Sequence, residues 1–273
     1  MEKQKKTYKV AVLDMYAGAA NQGMRNILDI LEDYRVNLHY EVFDIRGKNQ
    51  FPDLAFDIYI STGGPGSPLL SGEAWEKNYL RLIDTLWRHN QRHENKKHVF
   101  FICHSFQMAV QHFGLGEVTR RRSTSFGIFP VHKTQEGVHD PLLETLQDPF
   151  WAVDSRDWQV IQPDLRSFDR FGAQLLALEK IRDHVDYERA IMAIRFSDYF
   201  FGTQFHPEAN AQGMMTYMQQ ADKKAQIVTN HGLAKYEDML LHLKDIEKIT
   251  LTHNTIIPRF LETAIYSLQE EYL

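Results

Sequence analysis

Short apolar runs alternate with longer amphipathic stretches through the first part of the chain. Tyr8 to Met15 read as a strand buried on both faces, and Asn21 to Leu31 suit a helix with Met24, Ile27, Leu28 and Leu31 on one side. Val36 to Ile45 form a second strand, in which Leu38, Tyr40, Val42 and Asp44 alternate with His39, Glu41 and Phe43. Phe56 to Ile60 form a third, which ends in Ser61-Thr62-Gly63-Gly64-Pro65-Gly66-Ser67-Pro68. A helix from about Glu73 to Arg88 follows, then the apolar run Val99 to Ile102, then a helix from Ser105 to Phe113 with Phe106, Val110 and Phe113 at helical spacing. Strands that alternate with helices predict an α/β fold, a mostly parallel open sheet with helices on both faces.

After Phe113 the texture changes. Glu117 to Val131, Trp151 to Ile161, Gln174 to Glu179 and Ala190 to Phe196 read as shorter strands between polar turns, and Gly202 to Glu208 closes this section. From Ala211 the pattern is helical, so an α/β domain over residues 1–215 and a C-terminal helical extension over 216–273 are expected. Met239, Leu240, Leu243 and Ile246 line one helix face; Ile257, Leu261, Ala264, Ile265 and Leu268 line another that begins just before Pro258. Leaving such side chains in water forgoes about 1.5–3 kcal/mol each. The last stripe is therefore expected to pack on the preceding helix and the parent domain, with self-association into a homodimer as the alternative.

Composition narrows the function classes. The 273 residues are 43% hydrophobic and 25% charged, ordinary for a globular protein rather than a disordered one. A net charge of −5 gives no reason to expect a nucleic-acid partner. The one tight basic cluster, Arg120-Arg121-Arg122, reads as a solvated face. No run approaches the roughly 18 apolar residues of a membrane span, and the N-terminal Met-Glu-Lys-Gln-Lys-Lys has no signal-peptide apolar core. A single cysteine excludes an internal disulfide and fits a reducing cytoplasm. The 13 histidines show no metal-site spacing near that cysteine, so neither metal nor cofactor is expected. Trp75, Trp87 and Trp151 read as packing groups, and Asn21-Gln22-Gly23 as a helix start.

That cysteine, Cys103, falls between a buried strand and a helix, at the sheet edge where open α/β folds bind ligands. On position alone a cysteine here is more often a small core hydrophobe. Two other stretches change that reading. A cysteine nucleophile needs a base beside it and a carboxylate to orient the base, and His206-Pro207-Glu208 can supply both from one turn. The glycine turn at Gly63 to Gly66 can bring bare N–H groups to a substrate carbonyl, and the N–H of His104 would complete an oxyanion hole. The His104 side chain itself reads as a surface imidazole.

Together, Thr62-Gly63-Gly64-Pro65-Gly66-Ser67-Pro68, Ile102-Cys103-His104-Ser105-Phe106-Gln107 and Gln204-Phe205-His206-Pro207-Glu208 resemble the class I, triad-type glutamine amidotransferases, over roughly residues 8 to 215. The resemblance implies a flavodoxin-like α/β domain of stand-alone type. It implies that Cys103 attacks the side-chain amide of glutamine, that His206 moves the protons, and that Glu208 holds the imidazole. Gly64 and His104 would donate to the oxyanion. Gly66, Gln107, Ser155, Arg156 and Trp158 would bind substrate, the last three partly through main-chain groups. No phosphate-binding loop of the ligase type is visible, so a synthase or ligase that accepts the ammonia would lie on another chain. Phe101 and Ser105 stand where the family elbow usually carries glycine, so either Phe101 points away from the turn or the turn differs. Arg156-Asp157 replaces a segment that often contains histidine. A γ-glutamyl amide hydrolase with the same triad, and a catalytically weak regulatory subunit, are the alternative readings.

Overall fold

The computed structural model describes residues 6–19, 21–181 and 188–270; the first five residues, on which the leader reading rests, lie outside them. The strands are β1 (Tyr8–Asp14), β2 (Leu38–Asp44), β3 (Ile58–Ser61), β4 (His98–Ile102), β5 (Glu117–Lys133), β6 (Phe150–Ile161), β7 (Gln174–Glu179), β8 (Ile191–Ser197) and β9 (Phe200–Thr203). The helices are α1 (Gln22–Asp33), α2 (Ile45–Lys48), α3 (Ala74–Arg92), α4 (His104–Phe113), α5 (Gln135–His139), α6 (Leu165–Phe171), α7 (Ala211–Met218), α8 (Ala221–His231), α9 (Leu233–Leu243), α10 (Leu251–His253) and α11 (Ile256–Glu270).

All nine strands join one sheet in the order β2-β1-β3-β4-β9-β8-β7-β5-β6. The half from β2 to β9 is parallel, and the pairs from β9 to β6 are antiparallel. The fold is the α/β arrangement expected from the alternating pattern. The strand expected over Ala190 to Phe196 is β8; β9 is an additional strand, formed because Asp198 and Tyr199 reverse the chain and return Phe200 to Thr203 beside β4.

Period-two alternation explains the layers. Val10, Val12, Ile58, Ile60 and Phe100 share one apolar cluster with Ile27 and Leu31 of α1 and with Ile257, Phe260, Leu261, Ala264 and Leu268 of α11. Ala11, Leu13, Tyr59, Val99 and Phe101 share the other with α3 and α4. Asn21 caps α1 by accepting from Met24 N at 2.7 Å. Glu76 closes the start of α3, accepting the N–H groups of Ser71, Gly72 and Glu73.

Three expectations are corrected. The stripe of α11 meets the parent sheet as expected, but α9 does not share that interface. Met239 and Leu243 belong instead to a third cluster with Ile128, Val153 and Met218. Ile246 lies past the end of α9 and is 74% exposed, since the chain breaks from the helix at Lys244 and Asp245. In the basic triplet only the outer two residues face solvent: the Arg121 side chain turns inward and meets Glu179 at 3.0 Å. Among the described residues no helix is long and apolar enough to cross a membrane.

Candidate active site

Because β3, β4 and β9 are neighbours and parallel, their carboxyl ends deliver Gly63–Gly64, Cys103 and the Gln204–Glu208 turn to one place. Cys103 adopts φ 48° and ψ −97°, a left-handed backbone that side chains rarely take. The elbow is held from both sides. Cys103 N donates to Thr203 O at 2.8 Å, and Gln107 N donates to Cys103 O at 3.0 Å. Ser105 Oγ accepts from Ile102 N at 2.9 Å and donates to Ser61 O at 2.7 Å, tying the elbow to β3. Phe101, fully buried, points away from the turn into the α3–α4 cluster. Room for it comes from its cross-strand partner Gly202, where a Cβ would lie 2.8 Å from Phe106 and 3.2 Å from the Phe101 Cβ.

His206 Nδ1 lies 2.7 Å from Glu208 Oε1, and the ring is close enough to Cys103 to feel its charge. Burial pulls the His206 pKa down, but the negative charges of Glu208 and Cys103 override it and hold the imidazole well above its usual 6.5. The turn is fixed by His206 N donating to Val153 O at 2.9 Å and by His253 Nδ1 bonding Glu208 O at 3.0 Å. Glu208 is fully buried, and among the described residues its Oε2 has no partner. Gly63 must be glycine: a Cβ there would lie 2.9 Å from His206 Cε1 and 3.1 Å from the Tyr16 hydroxyl. A Cβ on Gly64 would meet Met15 O at 2.5 Å.

A cleft of about 230 Å³ opens on this group, lined by Gly64, Gly66, Cys103, His104, Gln107, Thr124, Ser155, Arg156 and Trp158 among others. All the residues expected to bind substrate or oxyanion therefore border one space, together with Cys103. A larger hollow of about 440 Å³ beside His98 holds no cysteine. Arg156 borders the cleft through its main chain. Its guanidinium is spent on Asp154 at 2.8 and 3.0 Å, on Trp158 O at 3.1 Å and on Glu179 at 3.4 Å. The His104 side chain is buried, not superficial: burial, reinforced by Arg46, pushes its pKa down to about 3, so it is neutral and carries no charge to the sulfur.

Several site residues escape sequence reasoning. Arg46 of α2 donates to Met15 O at 3.1 Å and Pro65 O at 2.6 Å, propping the glycine loop, and its guanidinium stacks 5.2 Å from the Trp75 ring. The Tyr16 hydroxyl sits against Gly23 and Gly63; burial first, then Glu208 and Cys103, hold it protonated. Gln204, inside a motif read only for its histidine and glutamate, turns its amide to Cys103. Only Gln204 left a signal, its place in that motif; the others depend on contacts across the fold.

Known proteins share this fold. The glutamine amidotransferase class I family matches residues 11–223. A glutamine amidotransferase from Thermotoga maritima superposes with TM-score 0.69 at 16% identity, covering 94% of this chain and 98% of the other. One from Methylobacillus flagellatus gives 0.63 at 15% identity, covering 98% and 96%. The glutaminase domain of a Trypanosoma brucei CTPS, with bound acivicin, gives 0.54 at 14% identity, covering 74% and 86%. A search of curated proteins finds no match. At these identities the structures share the fold, and the family match carries the assignment: the chain belongs to the class I glutamine amidotransferases.

Proposed function

We propose that the protein hydrolyses the side-chain amide of glutamine through Cys103, His206 and Glu208, releasing ammonia to an acceptor on another polypeptide. The observation that carries this reading is the Glu208–His206 hydrogen bond with its imidazole in electrostatic reach of Cys103, which borders the cleft. The sulfur attacks the amide carbon while Gly64 N–H and His104 N–H stabilise the oxyanion. His206, held protonated by its neighbours, gives its proton to the departing ammonia and leaves a glutamyl thioester. It then takes a proton from water, which attacks the thioester, and the thiolate leaves with glutamate as product. Glu208 orients the imidazole throughout. Gln107, Gly66 and the main chain of Ser155 to Trp158 border the space for the amino-acid end of the substrate. Phe101 packs in the core and leaves the elbow intact, which supports an active enzyme over a regulatory relic. Incubating the pure protein with glutamine tests the reading: glutamate accumulates with wild type and stops with Cys103→Ala. Release that persists in that variant overturns it.

A further inference from the structure

We propose that Gln107 and Gln204 form a positioning pair that aims an amide N–H at the Cys103 sulfur and keeps it in its attacking form, an inference that rests on Cys103 being the nucleophile. The three groups form one chain of contacts beside the cleft. Gln107 Nε2 donates to Gln204 Oε1 at 3.0 Å, and Gln204 Nε2 donates to Cys103 Sγ at 3.7 Å, within range for a sulfur acceptor. They are almost sealed from water: Gln204 is 0%, Gln107 2% and Cys103 5% exposed.

The order of the bonds sets the polarity. A primary amide has an oxygen that only accepts and a nitrogen that only donates. Gln107 presents its nitrogen, so Gln204 answers with oxygen, and its own nitrogen faces the sulfur. Turned over, Gln204 would put nitrogen against nitrogen and carbonyl oxygen against the sulfur, leaving buried groups unpaired. A donor beside sulfur favours the negative over the neutral form, and negative sulfur is the nucleophile. The Gln204 backbone cannot drift, since its N–H is bonded to Met192 O at 2.8 Å. Gln107 also borders the cleft, so one side chain serves both the substrate space and the nucleophile.

Cys103 is the one cysteine of the chain, so the alkylation rate of the native protein by iodoacetamide reads this sulfur alone. At pH 7 Gln204→Met, which keeps the volume and removes the donor, is expected to slow alkylation about tenfold, the factor for losing one charge-assisted hydrogen bond. Gln204→Glu keeps an acceptor for Gln107 but turns oxygen to the sulfur, and slows it at least as much. Gln107→Met loosens the lock and slows it less. The double variant Gln107→Met/Gln204→Met is no slower than Gln204→Met alone, because the first residue acts through the second. In glutamine turnover Gln204→Met lowers kcat with little change in KM, which loss of packing would not select. Wild-type alkylation rates in both Gln204 variants, or losses that multiply in the double variant, overturn the proposal. Alkylation needs no glutaminase activity, so failure of the pair and failure of the glutaminase reading give different results.

Discussion

Phe101 and Gly202 show how one substitution at an elbow is absorbed by its neighbour. A large side chain beside the strained Cys103 is tolerable only if it enters the core, and the core has space because β9 carries no side chain opposite it. Gly202→Ala would drive a methyl into Phe106 and Phe196, at 2.8 and 3.2 Å. Overpacking of this kind costs about 1–3 kcal/mol. The urea midpoint of Gly202→Ala is expected to fall accordingly, and an unchanged midpoint contradicts this account of how Phe101 is housed. Ser105 tells the complementary story: its hydroxyl supplies two buried bonds that a glycine there could not make. Neither adjustment could be read along the chain, since each depends on a partner dozens of residues away.

Strand β4 carries chemistry at both ends. Cys103 follows its carboxyl end, and His98 opens its amino end, 3% exposed and with no partner for Nε2 among the described residues. Burial, helped by the charge of Lys97, lowers the His98 pKa to about 4. A lowered histidine stays neutral in the fold while the unfolded chain takes up a proton below pH 6.5, so stability is lost as pH falls from 6.5 towards 4. By pH 5 the loss from this one residue is about 2 kcal/mol at most. His98→Gln is therefore expected to lose less stability between pH 8 and pH 5 than wild type does, in paired urea titrations at each pH. Identical losses would show that His98 is protonated in the fold. At this scale the parallel half of the sheet was legible, because β1, β3 and β4 are continuous apolar runs. The hairpin of β8 and β9 was not, because β9 is four residues long and only its pairing with β4 distinguishes it. The Cys103, His206 and Glu208 positions were legible from motif and order, whereas Tyr16, Arg46 and His253 reach the site only through folding.

Across the whole molecule, α11 is part of the main core: its apolar face lies beside α1 on the same sheet surface. Leu261→Ala should cost about 2–5 kcal/mol, whereas Tyr266→Ala, at a position 62% exposed on the same helix, should change stability by less than about 0.5 kcal/mol. Equal small effects on thermal unfolding would mean that the stripe does not seal the sheet. The same core fixes β3, β4 and β9 in register, and their carboxyl ends assemble the site. The proposed role of Cys103, a nucleophile aimed at glutamine, is central. Its most direct test is intact-mass and peptide mapping after treatment with a diazo-ketone analogue of glutamine. One adduct is expected, on Cys103, suppressed by excess glutamine and absent from Cys103→Ala. An adduct on another residue, or labelling of Cys103 that glutamine does not suppress, would contradict it.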